Sequence, residues 1–238
     1  MPHAPSQRIH YGDDENQFFE LWRPKEEKPA LAVFIHGGFW RAKYDLHHAD
    51  SFCAALAAKG VAVANLEYRR VGQPGGGWPG TFEDVVAGVQ LASARIGRAP
   101  IVVGHSAGGH LALRLAGEPV ALQAVVALAP VADLRLAYEL NLSNGAVVEF
   151  LGGTPESTPD RYDEACASRY RPLVRTVIIH GSRDADVPIA LSQAFVQARK
   201  NDPEPPTLIE MPDAGHMVLV DPQSPAGSMV IEVVRRMT

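Results

Sequence analysis

Cysteine is scarce, with only Cys53 and Cys166 among 238 residues, so a secreted scaffold stapled by several disulfides is excluded. Cys53 sits in the apolar helical pattern Ser51-Phe52-Cys53-Ala54-Ala55-Leu56 and Cys166 in a helical stretch, and both are expected to be reduced thiols. No apolar run approaches the roughly 20 residues that cross a bilayer. The stretch Met1-Pro2-His3-Ala4-Pro5-Ser6-Gln7 lacks the basic and apolar segments of a secretory leader, so a soluble, cytoplasmic protein is expected. Runs of like charge are missing as well, and a net charge of −5 favours neither nucleic acid nor an anionic membrane surface as partner. The glycine-rich stretch from Val71 to Gly80 opens no helix with a Gly-Lys-Ser/Thr or G-x-G-x-x-G pattern. It reads as a loop after a strand rather than a phosphate cradle, with Trp78 able to fold over a substrate. His47, His48 and Asp50 have no metal-ligand spacing and read as solvent-facing or first-turn helix residues, so neither a metal nor a cofactor is expected.

What the chain does have is a steady alternation of strand and helix patterns. Arg8–Tyr11 and Phe18–Trp22 read as an antiparallel edge, followed by strands at Leu31–His36, Val61–Glu67, Ala99–Val103, Ala124–Leu128, Thr176–His180 and Thr207–Met211. Helices are expected at Leu46–Lys59, closed by Gly60, at Phe82–Arg95 and at Ala107–Ala116. Short strands with crossover helices predict an α/β architecture, a mostly parallel sheet of about eight strands covered on both faces. With 46% hydrophobic residues, the 238 residues suit one domain. Between Asp133 and Arg171 the rhythm breaks, and a polar helix is expected near Asp160–Ser168. This segment is either a small cap-like side wall, offering Tyr138, Phe150 and Leu151 to a pocket, or a piece that packs on the sheet edge.

The chemistry concentrates in Gly104-His105-Ser106-Ala107-Gly108. A G-x-S-x-G pattern between a strand and a helix is a nucleophile elbow, in which the serine takes a strained backbone and glycines clear the space around it. A serine hydroxyl is a weak nucleophile, so it needs an imidazole to take its proton and a carboxylate to hold that imidazole. In chain order the partners are Asp184, in the loop after the strand Thr176–His180, and His216, in the loop after Thr207–Met211. Asp186 is the rival carboxylate, read otherwise as a helix cap or a residue facing water. The run Leu31–Ile35 ends in His36-Gly37-Gly38-Phe39-Trp40, and the amides of Gly37 or Gly38 with that of Ala107 would form an oxyanion hole. Arg69 and Arg70 are weaker candidates for holding a substrate carboxylate.

His36-Gly37-Gly38-Phe39-Trp40, Gly104-His105-Ser106-Ala107-Gly108, Asp184 and His216 resemble the H-G-G-x-W branch of the α/β-hydrolase superfamily, which holds kynurenine formamidases (arylformamidases) and related bacterial carboxylesterases. Ala129-Pro130-Val131-Ala132-Asp133-Leu134 and His216-Met217-Val218-Leu219-Val220-Asp221-Pro222 are similar to it too. The branch often has phenylalanine where this chain has Met217. The resemblance implies an α/β-hydrolase fold and a serine hydrolase of small esters, with N-formyl aromatic amines as the alternative substrates. Ser106, His216 and Asp184 would be the triad, and Phe39, Trp40, His105, Tyr138 and Met217 would meet the substrate. A silent ligand-binding fold and a small peptidase stand further off, and the oligomeric state, a homodimer included, is open.

Overall fold

The computed structural model describes residues 4–238. Met1 to His3, the first residues of the segment expected to lack a secretory leader, lie outside those described. An eight-stranded sheet runs through the molecule, made of β1 (Gln7–His10), β2 (Phe18–Trp22), β3 (Ala30–Ile35), β4 (Val61–Leu66), β5 (Ile101–His105), β6 (Ala124–Leu128), β7 (Thr176–Gly181) and β8 (Thr207–Met211). The strands lie in the order β1-β2-β4-β3-β5-β6-β7-β8. β2 runs antiparallel to both neighbours, and every other pairing is parallel.

Period-two alternation explains why the sheet is covered on both sides. In β3, Leu31, Val33 and Ile35 enter one apolar cluster, whereas Ala32 and Phe34 enter the other. The first cluster takes in Val85 and Val89 of α2 (Gly80–Ile96), Leu111 and Leu115 of α3 (Ala107–Ala116), and Leu191 and Phe195 of the later helix Ala190–Ala198. The second takes in Phe52 and Leu56 of α1 (Asp50–Ala57) and Val230, Ile231 and Val234 of the C-terminal helix Pro225–Arg236. Burying each of these side chains contributes about 1.5–3 kcal/mol.

The helix expected over Leu46–Lys59 is divided: Asp45 caps a 3₁₀ turn at Leu46–Ala49, and α1 follows from Asp50. Gly60 closes it at φ 88°. Segment 133–171 folds as three short helices, α4 (Leu134–Glu139), α5 (Ala146–Leu151) and α6 (Pro159–Ala165). α6 stops before the expected Ser168, where a 3₁₀ turn takes over. The later helices are α7 (Ala190–Ala198) and α8 (Pro225–Arg236). No helix among the described residues is long and apolar enough to cross a membrane. Both cysteines are free and buried, and burial pushes each thiol pKa up, so neither is an activated thiolate.

Candidate active site

β5 ends at His105 and α3 starts at Ala107, which leaves Ser106 alone in the turn at φ 57°, ψ −116°. Such a backbone costs on the order of 1–3 kcal/mol in a residue with a Cβ and needs support from its surroundings. Support comes from the Ser106 amide, which donates to Leu128 O at 2.8 Å, and from its carbonyl, which accepts from the His110 amide at 3.0 Å. A Cβ on Gly104 would stand 2.2 Å from Gly108 O, and one on Gly108 would stand 2.1 Å from Ile35 O. The two glycines are therefore steric requirements, and Gly108 also seats the first turn of α3 against the end of β3.

His216 and Asp184 meet although 31 residues of chain lie between them. β7 and β8 are parallel neighbours, so their following loops emerge at the same edge. The His216 Nδ1–H donates to Asp184 Oδ2 at 2.6 Å, and the side chains are 8% and 0% exposed. Burial works against the Asp184 charge, but hydrogen bonds from His180, His216 and the Val187 amide outweigh it and hold the carboxyl well below the usual range. His216 Nε2 has no partner among the described residues, nor does Ser106 Oγ, and the two side chains line one cavity. The amide of Asp186 donates to Asp184 Oδ1 at 2.9 Å, and the exposed Asp186 side chain lines the same cavity.

The loop after β3 is held from beneath by a buried polar group. His36 Nε2 lies 2.8 Å from Glu67 Oε1, its Nδ1 2.7 Å from Gly37 O, and its ring stacks on Tyr68 at 4.4 Å. Glu67 also accepts from the Tyr68 and Leu46 amides. Past His36 the chain turns through Gly38 at φ 111°, Phe39 at φ 51° and Trp40 at φ 57°. Positive φ at a phenylalanine and a tryptophan in succession is uncommon and concentrates strain at this loop. A Cβ on Gly37 would be 3.0 Å from the Ser106 Cβ, so the bare backbone at 37 is what lets the loop close on the serine. The amides of Gly37, Gly38 and Ala107 donate to no acceptor among the described residues.

The cavity has a volume of about 350 Å³. Gly37, Gly38, Phe39, Tyr44 and His48 line it from the β3 side, and His105 and Ser106 line its floor. Asp186, His216 and Met217 close the remaining side. Phe39, His105 and Met217, three of the residues expected to meet substrate, line this cavity. The His105 ring lies 4.5 Å from that of His216, and its Nε2–H donates to His216 O at 3.2 Å. Burial, then the charge His216 can carry, push the His105 pKa well down, so its ring stays neutral. A larger groove of about 450 Å³ lies at Trp22, Arg23 and Lys25 and contains no histidine or paired nucleophile.

Several expected contacts fall elsewhere. Trp40 is fully buried and stacks on Phe150 at 4.4 Å, so it wedges the loop onto α5 instead of meeting substrate. Tyr138 packs edge-on against Tyr162 at 6.1 Å, and no residue of segment 133–171 lines the cavity. Phe150 and Leu151 belong to the core, and Trp78 stacks on Phe82. Arg69 is held by both oxygens of Asp84, and Arg70 by Tyr44 O, Asn16, Gln73 and Glu67, so neither guanidinium is free for a ligand. Conversely, Tyr44, His48 and Asp186 line the cavity although the sequence did not single them out as lining. The signal available was proximity: Tyr44 and His48 follow the glycine loop directly, and Asp186 follows Asp184.

Two measurements check this placement. Trp40→Ala empties a fully buried site and is expected to lower stability by about 3–5 kcal/mol in urea denaturation; a loss below 1 kcal/mol would show that Trp40 is not a core wedge. Beside it, edge-on at 5.3 Å, is His110, whose Nε2–H donates to Ala165 O. Burial pushes its pKa from 6.5 down to about 4. The unfolded chain takes up a proton near pH 6.5 that the folded one refuses until about pH 4, so stability is full above pH 6.5 and falls across that window. The loss from His110 is expected to approach about 3 kcal/mol, read as a urea midpoint that declines as pH falls from 6.5 to 4 and declines less in His110→Gln. Equal slopes in the two proteins would contradict this.

The sequence matches the alpha/beta hydrolase family over residues 32–226. It is 29% identical to Esterase LipC of Mycobacterium tuberculosis (strain ATCC 25618 / H37Rv) over 246 aligned positions, which cover 88% of this chain and 59% of that protein. The chain therefore spans about three fifths of that relative's length. Among solved structures, a truncated carbohydrate esterase from gut microbiota superposes with a TM-score of 0.81 at 20% identity over 99% of each chain. Esterase B from Lactobacillus rhamnosis gives 0.81 at 19% identity over 100% of this chain and 87% of that one. An esterase from Thermogutta terrifontis gives 0.78 at 19% over 99% and 93%. Elbow, sheet order and family match agree: the chain belongs to the alpha/beta hydrolase family.

Proposed function

We propose that this chain is a serine hydrolase of small carboxylic esters, with the whole of it acting as one catalytic unit. Ser106 Oγ attacks the ester carbonyl while His216 Nε2 takes its proton. The amides of Ala107 and of Gly37 or Gly38 receive the developing oxyanion, each donor contributing about 2.7–4 kcal/mol. His216 then passes the proton to the departing alkoxide, leaving an acyl-enzyme on Ser106. Water, deprotonated by His216, releases the acid. Asp184 holds the His216 tautomer throughout. The observation that carries this reading is the 2.6 Å contact between His216 Nδ1 and Asp184, beside a cavity that His216 shares with an elbow serine.

The cavity of about 350 Å³ is at the small end for ligand sites and suits short acyl chains. The esterases among similar proteins support the same reaction class. A formamide carrying an amino-acid carboxylate would want a free arginine, and Arg69 and Arg70 are committed within the protein. The test is kcat/KM on p-nitrophenyl esters from acetate to octanoate, beside N-formylkynurenine. A maximum at short esters supports the reading. A formamide value above every ester would replace it with the arylformamidase, and no turnover together with no fluorophosphonate labelling would end it.

A further inference from the structure

Resting on the ester-hydrolase reading, we propose that Asp186 makes this site favour esters whose alcohol portion carries a positive charge. Asp186 is exposed and lines the cavity, and its carboxylate has no hydrogen bond or ion pair among the described residues. It lies within 4.8 Å of both an Asp184 carboxylate oxygen and a His216 ring nitrogen. The Asp184 charge is met by His180, His216 and the Val187 amide, whereas the Asp186 carboxylate accepts no hydrogen bond among the described residues. No lysine or arginine lines the cavity. Of the cations in the surrounding loops, Arg183 is paired with Asp213 at 2.6 Å and Arg41 with Glu149. Lys43 stands over the outer ring of Tyr44, 5.4 Å from its centroid.

The reaction decides which end of the ester feels this charge. The alkoxide leaves by taking the proton from His216, so the alcohol portion departs beside His216, and Asp186 and Met217 flank that residue. A cationic alcohol would meet an uncompensated carboxylate, with the rings of Phe39 and Tyr44 in the same cavity as further partners for an ammonium group. An anionic alcohol would be repelled. Because Asp186 is exposed, the preference is modest and sensitive to salt.

The experiment compares acetylcholine with 3,3-dimethylbutyl acetate, in which a tert-butyl group replaces the trimethylammonium at equal size. The wild-type ratio of kcat/KM for the charged over the neutral ester is expected to fall about five-fold in Asp186→Asn and further in Asp186→Lys. The difference is expected to shrink in 1 M salt, where the screening length is about 3 Å. Equal ratios in wild type and both variants, with the neutral ester turned over, overturn the charge preference and leave the hydrolase reading standing. If neither ester is cleaved and Ser106 fails to react with a fluorophosphonate, the hydrolase reading falls and this inference with it.

Discussion

Ser106→Ala is expected to lower kcat on p-nitrophenyl acetate by on the order of 10⁴- to 10⁶-fold while the melting temperature stays close to wild type. The loss is large because the hydroxyl is the only atom removed and the acyl-enzyme cannot form without it. The fold is expected to hold because Ser106 Oγ makes no hydrogen bond among the described residues, whereas the backbone bonds to Leu128 and His110 that support its positive φ do not involve the side chain. Alanine at φ 57° is strained to a similar degree as serine, so the elbow keeps its shape. Residual activity of the variant measures what the oxyanion amides and the cavity contribute alone. Activity within ten-fold of wild type, in protein freed of contaminating esterase, would sink the nucleophile assignment.

Asp184→Asn is expected to cost about 10⁴-fold in kcat, against less than about ten-fold for Asp186→Asn on a neutral ester. An amide at 184 keeps one oxygen to accept from the Asp186 and Val187 amides, so the turn survives. What changes is the face toward His216, where an N–H₂ group can replace the oxygen that accepts from Nδ1. The imidazole then favours the tautomer whose proton sits on Nε2, and a protonated Nε2 cannot take the serine proton. Asp186 makes no bond to His216, so its neutralisation changes only the field around the ring. A larger loss in Asp186→Asn than in Asp184→Asn would transfer the carboxylate role to Asp186.

The elements and the reacting groups were legible in the sequence to different depths. α3 and β6 appear with the expected boundaries: Gly117 ends the first, and Gln123 and Pro130 bracket the apolar run of the second. The order serine, acid, histidine places each group after a strand, and parallel pairing then delivers them to one edge of the sheet. The cavity walls were less legible because they depend on where a loop turns. Two consecutive positive-φ residues at Phe39 and Trp40 send the first ring to the cavity and the second into the core. Nothing in the local pattern distinguishes an aromatic residue that meets substrate from one that stacks on Phe150. Tyr138 was illegible for the same reason, since it packs on Tyr162 while Phe150 of the same segment stacks on Trp40.

That placement bears on which acceptor an acyl group on Ser106 would meet in the proposed reaction. Tyr44, His48, Asp186 and Met217 are all exposed around the cavity, and no residue of α4, α5 or α6 lines it. An acyl-enzyme formed here would stand in contact with bulk solvent, so water at full concentration would outcompete dilute alcohols as second nucleophile. A cavity that the insertion does not line would therefore favour hydrolysis over transesterification in the proposed reaction. An acyltransferase built on this site would need the cavity roofed, and the loop Arg41–Asp45, which carries the lining residue Tyr44, is where added residues would reach over it.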